Sequence, residues 1–152
     1  MSDNFRISIA VLVILILAMC SVEAKACSFY QVGMWSKHFS SRHDSPNEAI
    51  DPGRSEYNEV NKSLGCENIL GSDYSVTIYE NSYYNTSVWA YKEHRTPITS
   101  TLTYGYDVGV LTGYKHSVVP MVFGVLDWEG EVVGGKLIMF WGGVALQTKL
   151  RF

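Results

Sequence analysis

Alternation of apolar and polar residues is the main pattern along most of this chain. In residues 74–79, every second residue is Tyr, Val or Ile, and the residues between them are Ser, Thr and Tyr. This period of two predicts a half-buried strand, because successive side chains of a strand point to opposite faces. Residues 86–91 predict a return strand, so the stretch forms a hairpin with its tip near residues 81–85.

Segments of this kind recur from residue 28 onward, and no convincing helical period interrupts them. The eight predicted strands, separated by pieces rich in Pro, Gly, Asn and Asp, are 28–39, 57–69, 74–81, 86–93, 98–110, 118–126, 132–140 and 144–152. A length of 152 residues suits one domain. The chain is therefore predicted to be all-β.

The N-terminus has the features of a secretion signal. Arg6 precedes the mostly apolar run 7–20, and two small-x-small sites follow, ending at Ala24 and Ala26. An uncleaved membrane anchor is the alternative, but the run is shorter than the roughly 20 residues that a spanning helix needs. We expect residues 1–26 to be a cleaved signal peptide and residues 27–152 to form the folded domain.

Charge and cysteine content exclude several classes of function. The net charge is −3 and no basic patch is present, so nucleic acid is not an expected partner. No Cys/His cluster, phosphate-binding loop or dinucleotide fingerprint occurs, so neither a metal nor another cofactor is expected. Export would leave Cys27 and Cys66 in an oxidising compartment, where a disulfide is permitted, although the spacing alone does not establish one.

The fifth and last predicted strands suggest which environment the apolar face meets. In the fifth, one face carries Leu102, Tyr104, Tyr106, Val108 and Val110, and the other carries Thr101, Thr103, Gly105, Asp107 and Gly109. In the last, one face carries Val144, Leu146, Thr148, Leu150 and Phe152, and the other carries Ala145, Gln147, Lys149 and Arg151. Such alternation is typical of transmembrane barrel strands, whereas a soluble lipocalin-like barrel turns its apolar face inward. The charges favour a polar interior, with Asp107 and Lys149 as a candidate ion pair.

An eight-stranded antiparallel transmembrane β-barrel is therefore the predicted fold, and it brings two reactive side chains together. With both termini on the periplasmic side, strands one and three finish at the same extracellular rim, where His38 and Asn81-Ser82 lie. A histidine can act as a general base and a serine hydroxyl can be activated. The alternative for Ser82 is that it is only a turn residue. His43, in the first extracellular loop after strand 28–39, is a second candidate base.

An ordered set of short motifs resembles the PagP-like lipid A palmitoyltransferase family of Gram-negative outer membranes. The motifs are Trp35-Ser36-Lys37-His38-Phe39, Tyr57-Asn58-Glu59, Asn81-Ser82, Tyr104-Gly105-Tyr106-Asp107-Val108-Gly109, Pro120 and the terminal Phe152.

The resemblance implies an eight-stranded outer-membrane barrel, here expected to be a monomer, that moves an acyl chain from a phospholipid to lipid A. His38 and Ser82 match the family's histidine and serine, while Asn81 stands where the family has an acid. An amide cannot replace a carboxylate beside an imidazole, although it can donate a hydrogen bond to an oxyanion. A non-catalytic outer-membrane barrel that binds lipid or an envelope partner is therefore the alternative function.

Two glycines of the fifth strand are candidate substrate-binding residues. Gly105 and Gly109 face the interior in the predicted register and could leave space for an acyl chain, as in the family's internal pocket. The alternative is that a small barrel needs small residues for its packing and curvature.

Overall fold

The computed structural model describes residues 26–39, 56–114 and 117–151. These residues form eight strands: β1 Phe29–His38, β2 Val60–Glu67, β3 Tyr74–Glu80, β4 Thr86–Pro97, β5 Leu102–Leu111, β6 Val119–Glu129, β7 Val133–Phe140 and β8 Gly143–Leu150. The predicted signal peptide, apart from Ala26, and also His43 and Phe152 lie outside the described residues.

The strands close into an antiparallel barrel in which each strand pairs with the next and β8 pairs with β1. This confirms the prediction of an eight-stranded antiparallel β-barrel. We call the end where β1 begins and β8 finishes the terminal end, and the opposite end the loop end. His38 and Glu80 are the last residues of β1 and β3, so both lie at the loop end, as the strand order predicted.

The longest hairpin differs from its predicted boundaries. β4 continues beyond Glu93 to Pro97, which pairs with Thr103, and β5 begins at Leu102 rather than at residue 98. The difference arises because Ile98 and Thr99 both donate backbone hydrogen bonds to the Leu102 carbonyl and so form the turn. The β4–β5 ladder therefore extends further at the terminal end than the β3–β4 ladder, which ends at Tyr74.

A short 3-10 turn, Ile69–Gly71, joins β2 to β3. None of the helical structure in the described parts of the chain is long and apolar enough to cross a membrane.

The outer wall of the barrel carries many apolar residues, while polar and charged residues of β5 and β8 face the inside. On β5, Tyr104, Tyr106, Val108 and Val110 are exposed, while Asp107 between them is fully buried. On β8, Leu146 is exposed while Lys149 is fully buried. The predicted polar interior is therefore confirmed for both strands. The wall has the reverse polarity of a lipocalin-like barrel, whose apolar face turns inward.

A network of buried charges fills the terminal half of the interior. Lys149 Nζ lies 2.8 Å from Glu67 Oε2 and 2.6 Å from Asp127 Oδ1, and Lys136 Nζ lies 2.6 Å from Glu67 Oε1. Arg95 Nη2 lies 2.6 Å from Asp107 Oδ1. The predicted pairing of Asp107 with Lys149 is thus wrong, because each has nearer partners from other strands.

Apolar and aromatic side chains fill the loop half of the interior. The buried cluster contains Tyr79, Trp89, Tyr91, Leu111, Phe123, Val125, Ile138 and Ala145. Tyr91 links the two halves, because its ring stacks on Trp89 at 4.0 Å while its hydroxyl accepts a hydrogen bond of 3.3 Å from Lys136. The lumen therefore changes from charged to apolar about halfway along the barrel.

A disulfide between Cys27 and Cys66 ties the start of β1 to β2 at the terminal end, with a Cα–Cα distance of 5.2 Å. The pairing that the sequence permitted is therefore formed. A cross-link between residues 39 apart in sequence restricts the unfolded chain and so stabilises the folded barrel.

Candidate functional site

Asn81 organises the turn between β3 and β4 at the loop end. Its side chain is fully buried, and its amide Nδ2 donates to Ser87 Oγ at 2.9 Å and to the Gly113 carbonyl at 2.7 Å. Its Oδ1 accepts from the backbone N–H groups of Tyr83 and Asn85, at 2.9 and 3.0 Å. In this arrangement both amide donors are used within the turn and its neighbouring loop. The geometry is that of an Asx turn, in which a side chain replaces part of the backbone ladder.

Ser82 follows directly in the same turn and is largely buried. Its carbonyl accepts a hydrogen bond of 2.9 Å from the backbone N–H of Asn58, the residue that leads into β2. Asn81 therefore sets the conformation of the turn on one side of Ser82. The backbone of Asn58, just before β2, holds the carbonyl of Ser82 itself. A serine held in this way has a defined position at the loop end.

His38 lies at the loop end on β1, beside two aromatic rings. Its imidazole stacks on Tyr57 with ring centroids 4.0 Å apart and contacts Phe140 at 5.4 Å. Its Nδ1 is buried and has no hydrogen-bond partner among the described residues. The ring is thus held by packing, while one of its nitrogens keeps an unused hydrogen-bonding position.

Three tyrosines continue from His38 across the loop end. Tyr57 contacts Tyr83 edge-on at 5.7 Å, and Tyr83 contacts Tyr114 edge-on at 5.9 Å. Burial raises the pKa of Tyr114 well above its usual value, so its hydroxyl stays protonated and shares a hydrogen bond of 3.3 Å with Tyr79. We call His38, Tyr57, Tyr83 and Tyr114 the rim aromatic series.

The structure places His38 and Ser82 at one end of the barrel but does not join them directly. Tyr83, the neighbour of Ser82, contacts Tyr57, which stacks on His38. Within the described residues, no hydrogen bond connects His38 to Ser82. The sequence placed the histidine and the serine correctly on one rim but did not identify the tyrosines between them. Of the three tyrosines, only Tyr57 lies in one of the short motifs, Tyr57-Asn58-Glu59. No local sequence signal marks Tyr114.

Asparagine side chains tie the first three strands together beneath this rim. Asn61 Nδ2 donates to the Glu80 carbonyl at 2.8 Å, and Ser36 Oγ donates to Asn61 Oδ1 at 2.8 Å. Asn58 Nδ2 donates to Glu80 Oε1 at 2.8 Å. The backbone pairing of β2 with β3 ends at Ser63 and Tyr79. Beyond that pair, towards the loop end, these side-chain hydrogen bonds connect the two strands.

Gly105 and Gly109 face the interior, as their register predicted, and the neighbouring strand β4 approaches both closely. A Cβ at Gly105 would overlap the His94 carbonyl oxygen, and a Cβ at Gly109 would lie 2.7 Å from the Tyr91 Cβ. Both glycines thus provide the close packing of β5 on β4 that the barrel's curvature requires.

A cavity of about 310 Å³ opens at the terminal end of the barrel. Its lining includes Asp73, Glu93, Arg95 and Glu129. Charged walls suit a polar occupant rather than a fatty acyl chain. Among the residues that the structure describes, no group of three or more His, Cys, Asp or Glu side chains is arranged to hold a metal ion.

Comparisons of the chain with protein-family models, with curated proteins and with solved structures found no match.

Proposed function

We propose that this chain is a β-barrel of a bacterial outer membrane that transfers a fatty acyl chain from a phospholipid to lipid A or a related lipid. The observation that carries the proposal is the division of the lumen. An apolar cluster that includes Trp89, Leu111 and Phe123 lies directly below the rim that holds His38 and Ser82. If these side chains repack to admit an acyl chain, the chain meets apolar surroundings and its ester group lies at the level of the rim.

The outer wall supports a membrane location. Side chains such as Val108, Val122 and Leu146 are exposed along the strands, and leaving so many apolar groups in water is unfavourable. Aromatic residues lie towards both ends, including Trp35 and Trp141 at the loop end. Aromatic girdles at both interfaces are typical of outer-membrane barrels. The Cys27–Cys66 disulfide agrees with an oxidising compartment outside the cytoplasm.

The proposed reaction uses His38 as the general base. Its imidazole removes the proton of the acceptor hydroxyl, and that oxygen attacks the acyl carbonyl of the phospholipid. The Ser82 hydroxyl donates a hydrogen bond to the oxyanion that develops. The ester C–O bond of the donor then breaks, and the proton passes from His38 to the departing lysophospholipid oxygen. Asn81 positions Ser82 through the hydrogen bonds of the turn.

The test is mass spectrometry of lipid A from an outer membrane that lacks its own acyltransferase and expresses this chain. The parent chain is expected to add one acyl mass. His38→Ala is expected to reduce the product by a factor of roughly 100 or more, the usual contribution of a general base. Ser82→Ala is expected to lower it by a factor of roughly 100 to 1,000, as for loss of one oxyanion donor.

Ser100→Ala is the matched control, because Ser100 lies in the β4–β5 turn at the opposite end of the barrel. It is expected to leave the product unchanged. Insertion of every variant is checked by the shift between heated and unheated samples on a gel. If the parent chain inserts but no lipid gains mass, the transferase proposal fails.

Failure of that test would leave the second candidate, a non-catalytic barrel that binds lipid. One specific observation favours it: Asn81 replaces the acid of the family and is held entirely by structural hydrogen bonds. The imidazole of His38 then has no carboxylate from that position to orient it.

A further inference from the structure

We propose that the outer wall at the terminal end binds the headgroup of an anionic glycerophospholipid, through Lys92 and His94 on β4. This inference rests on the proposed membrane location and does not depend on catalysis at the loop end. The proposed site is a basic and aromatic patch composed of Lys92 and His94 together with Tyr74, Tyr104 and Tyr106.

Lys92 is the cation of this patch. It points outward from β4 and pairs in register with Tyr74, the first residue of β3, so it lies where the β3–β4 ladder ends on the terminal side. Its ammonium lies 5.8 Å from the centroid of the Tyr74 ring. No carboxylate of the described residues forms an ion pair with it, unlike the cations of the interior. A lysine at this depth extends its charge towards the headgroup region.

Two residues further along β4, His94 adds a second basic side chain on the same face. Its imidazole stacks on the Tyr106 ring at 4.7 Å with an interplanar angle of 23°. Tyr104, two positions away on β5, is also exposed. Tyrosine rings are favoured at the level of lipid headgroups, where the ring is apolar and the hydroxyl is wet. The patch therefore combines the positive charge and the aromatic rings that a phosphate headgroup would meet.

On the loop-end side of the patch, the outer wall can contact the acyl chains of the bound lipid. Ala90 is the next outward residue of β4 towards the loop end, and it lies between Val76 on β3 and Val110 on β5. Val88 is the next outward residue beyond Ala90 and is also exposed, so the outer wall on this side of Lys92 is apolar. A lipid with an anionic headgroup at Lys92 and a chain over Ala90 matches both charge and polarity.

The test is native mass spectrometry of the full-length mature barrel, folded into mixed phosphatidylcholine and phosphatidylglycerol vesicles and extracted in mild detergent. The parent is expected to retain phosphatidylglycerol in preference to phosphatidylcholine. Lys92→Gln is expected to reduce this preference about fivefold, the usual effect of one lysine near an anionic surface, while Lys92→Arg keeps it.

Lys62→Gln is the matched control, because Lys62 is also exposed on the outer wall but lies on β2. It is expected to leave the preference unchanged. Equal retention of the two lipids by the parent, or an equal loss in both glutamine variants, would overturn the headgroup site while leaving the membrane location intact. Failure of the parent to insert, seen as the absence of a heat-dependent gel shift, would refute the membrane location and this inference together.

Discussion

At the residue scale, Asn81 shows how one side chain can serve the fold at a position associated with chemistry. The resemblance places an acid there, but the amide makes two hydrogen bonds as a donor and two as an acceptor. A carboxylate could keep the two accepted bonds and would lose the bond to the Gly113 carbonyl. The turn therefore favours an amide over a carboxylate, since an ionised carboxylate accepts hydrogen bonds but donates none.

We therefore expect Asn81→Asp to destabilise the barrel rather than to improve catalysis. The carboxylate would face the Gly113 carbonyl oxygen without a proton between them, at a cost of about 1–3 kcal/mol. Urea unfolding of the vesicle-inserted protein measures this change. Asn85→Asp adds the same charge to the same turn at a less buried position, and a smaller loss is expected. Equal losses for both variants would contradict the role assigned to Asn81.

At the element scale, the eight strands are held together inside the barrel by charges as well as by their backbone ladders. Lys149 on β8 contacts Glu67 on β2 and Asp127 on β6, and Lys136 on β7 contacts Glu67 and Glu93. Five strands that are not all neighbours are thereby linked across the lumen. The network occupies the terminal half of the interior, beside the polar cavity lined by Glu93 and Arg95.

Removing one charged member of this network should lower the stability of the barrel substantially. Lys149→Met leaves Glu67 and Asp127 without one of their buried partners, and a loss of about 3–5 kcal/mol is expected. Lys37→Met removes the same charge from an exposed pair with Glu59 and should cost less than about 1 kcal/mol. The midpoints of urea unfolding give both values, and similar midpoints would show that the interior network contributes little.

At the scale of the whole molecule, the polarity of the barrel is inverted relative to a soluble protein. Its interior holds charged side chains at the terminal end, and the described strands carry many exposed apolar side chains on the exterior. An apolar exterior is stable in lipid, while the closed ladder leaves no unpaired strand edge there. This polarity supports the proposed membrane location.

The stability change caused by introducing one charge on the outer wall therefore shows whether the wall faces a bilayer or water. Val122 is 65% exposed on β6, and Val122→Arg is expected to reduce stability by about 2–4 kcal/mol if the side chain faces lipid. In water, an exposed substitution of this kind usually changes stability by less than about 0.5 kcal/mol. Trp141→Arg, in the loop-end turn where the residue is fully exposed, is the control and should cost about 1 kcal/mol or less. Folding into vesicles at increasing urea concentration measures both.

The period of two along the chain determined the number of strands, their approximate bounds and the faces of β5 and β8. Alternation is a local property of an extended backbone, so the sequence alone carries it. The strand order then placed His38 and Ser82 at one end. Only the tertiary structure decided that Asp107 pairs with Arg95 rather than with Lys149, that Asn81 is held inside its turn, and that Tyr57 and Tyr83 lie between the two site residues. These contacts join residues far apart in sequence, and the closure and register of the barrel set their distances, which no local pattern records.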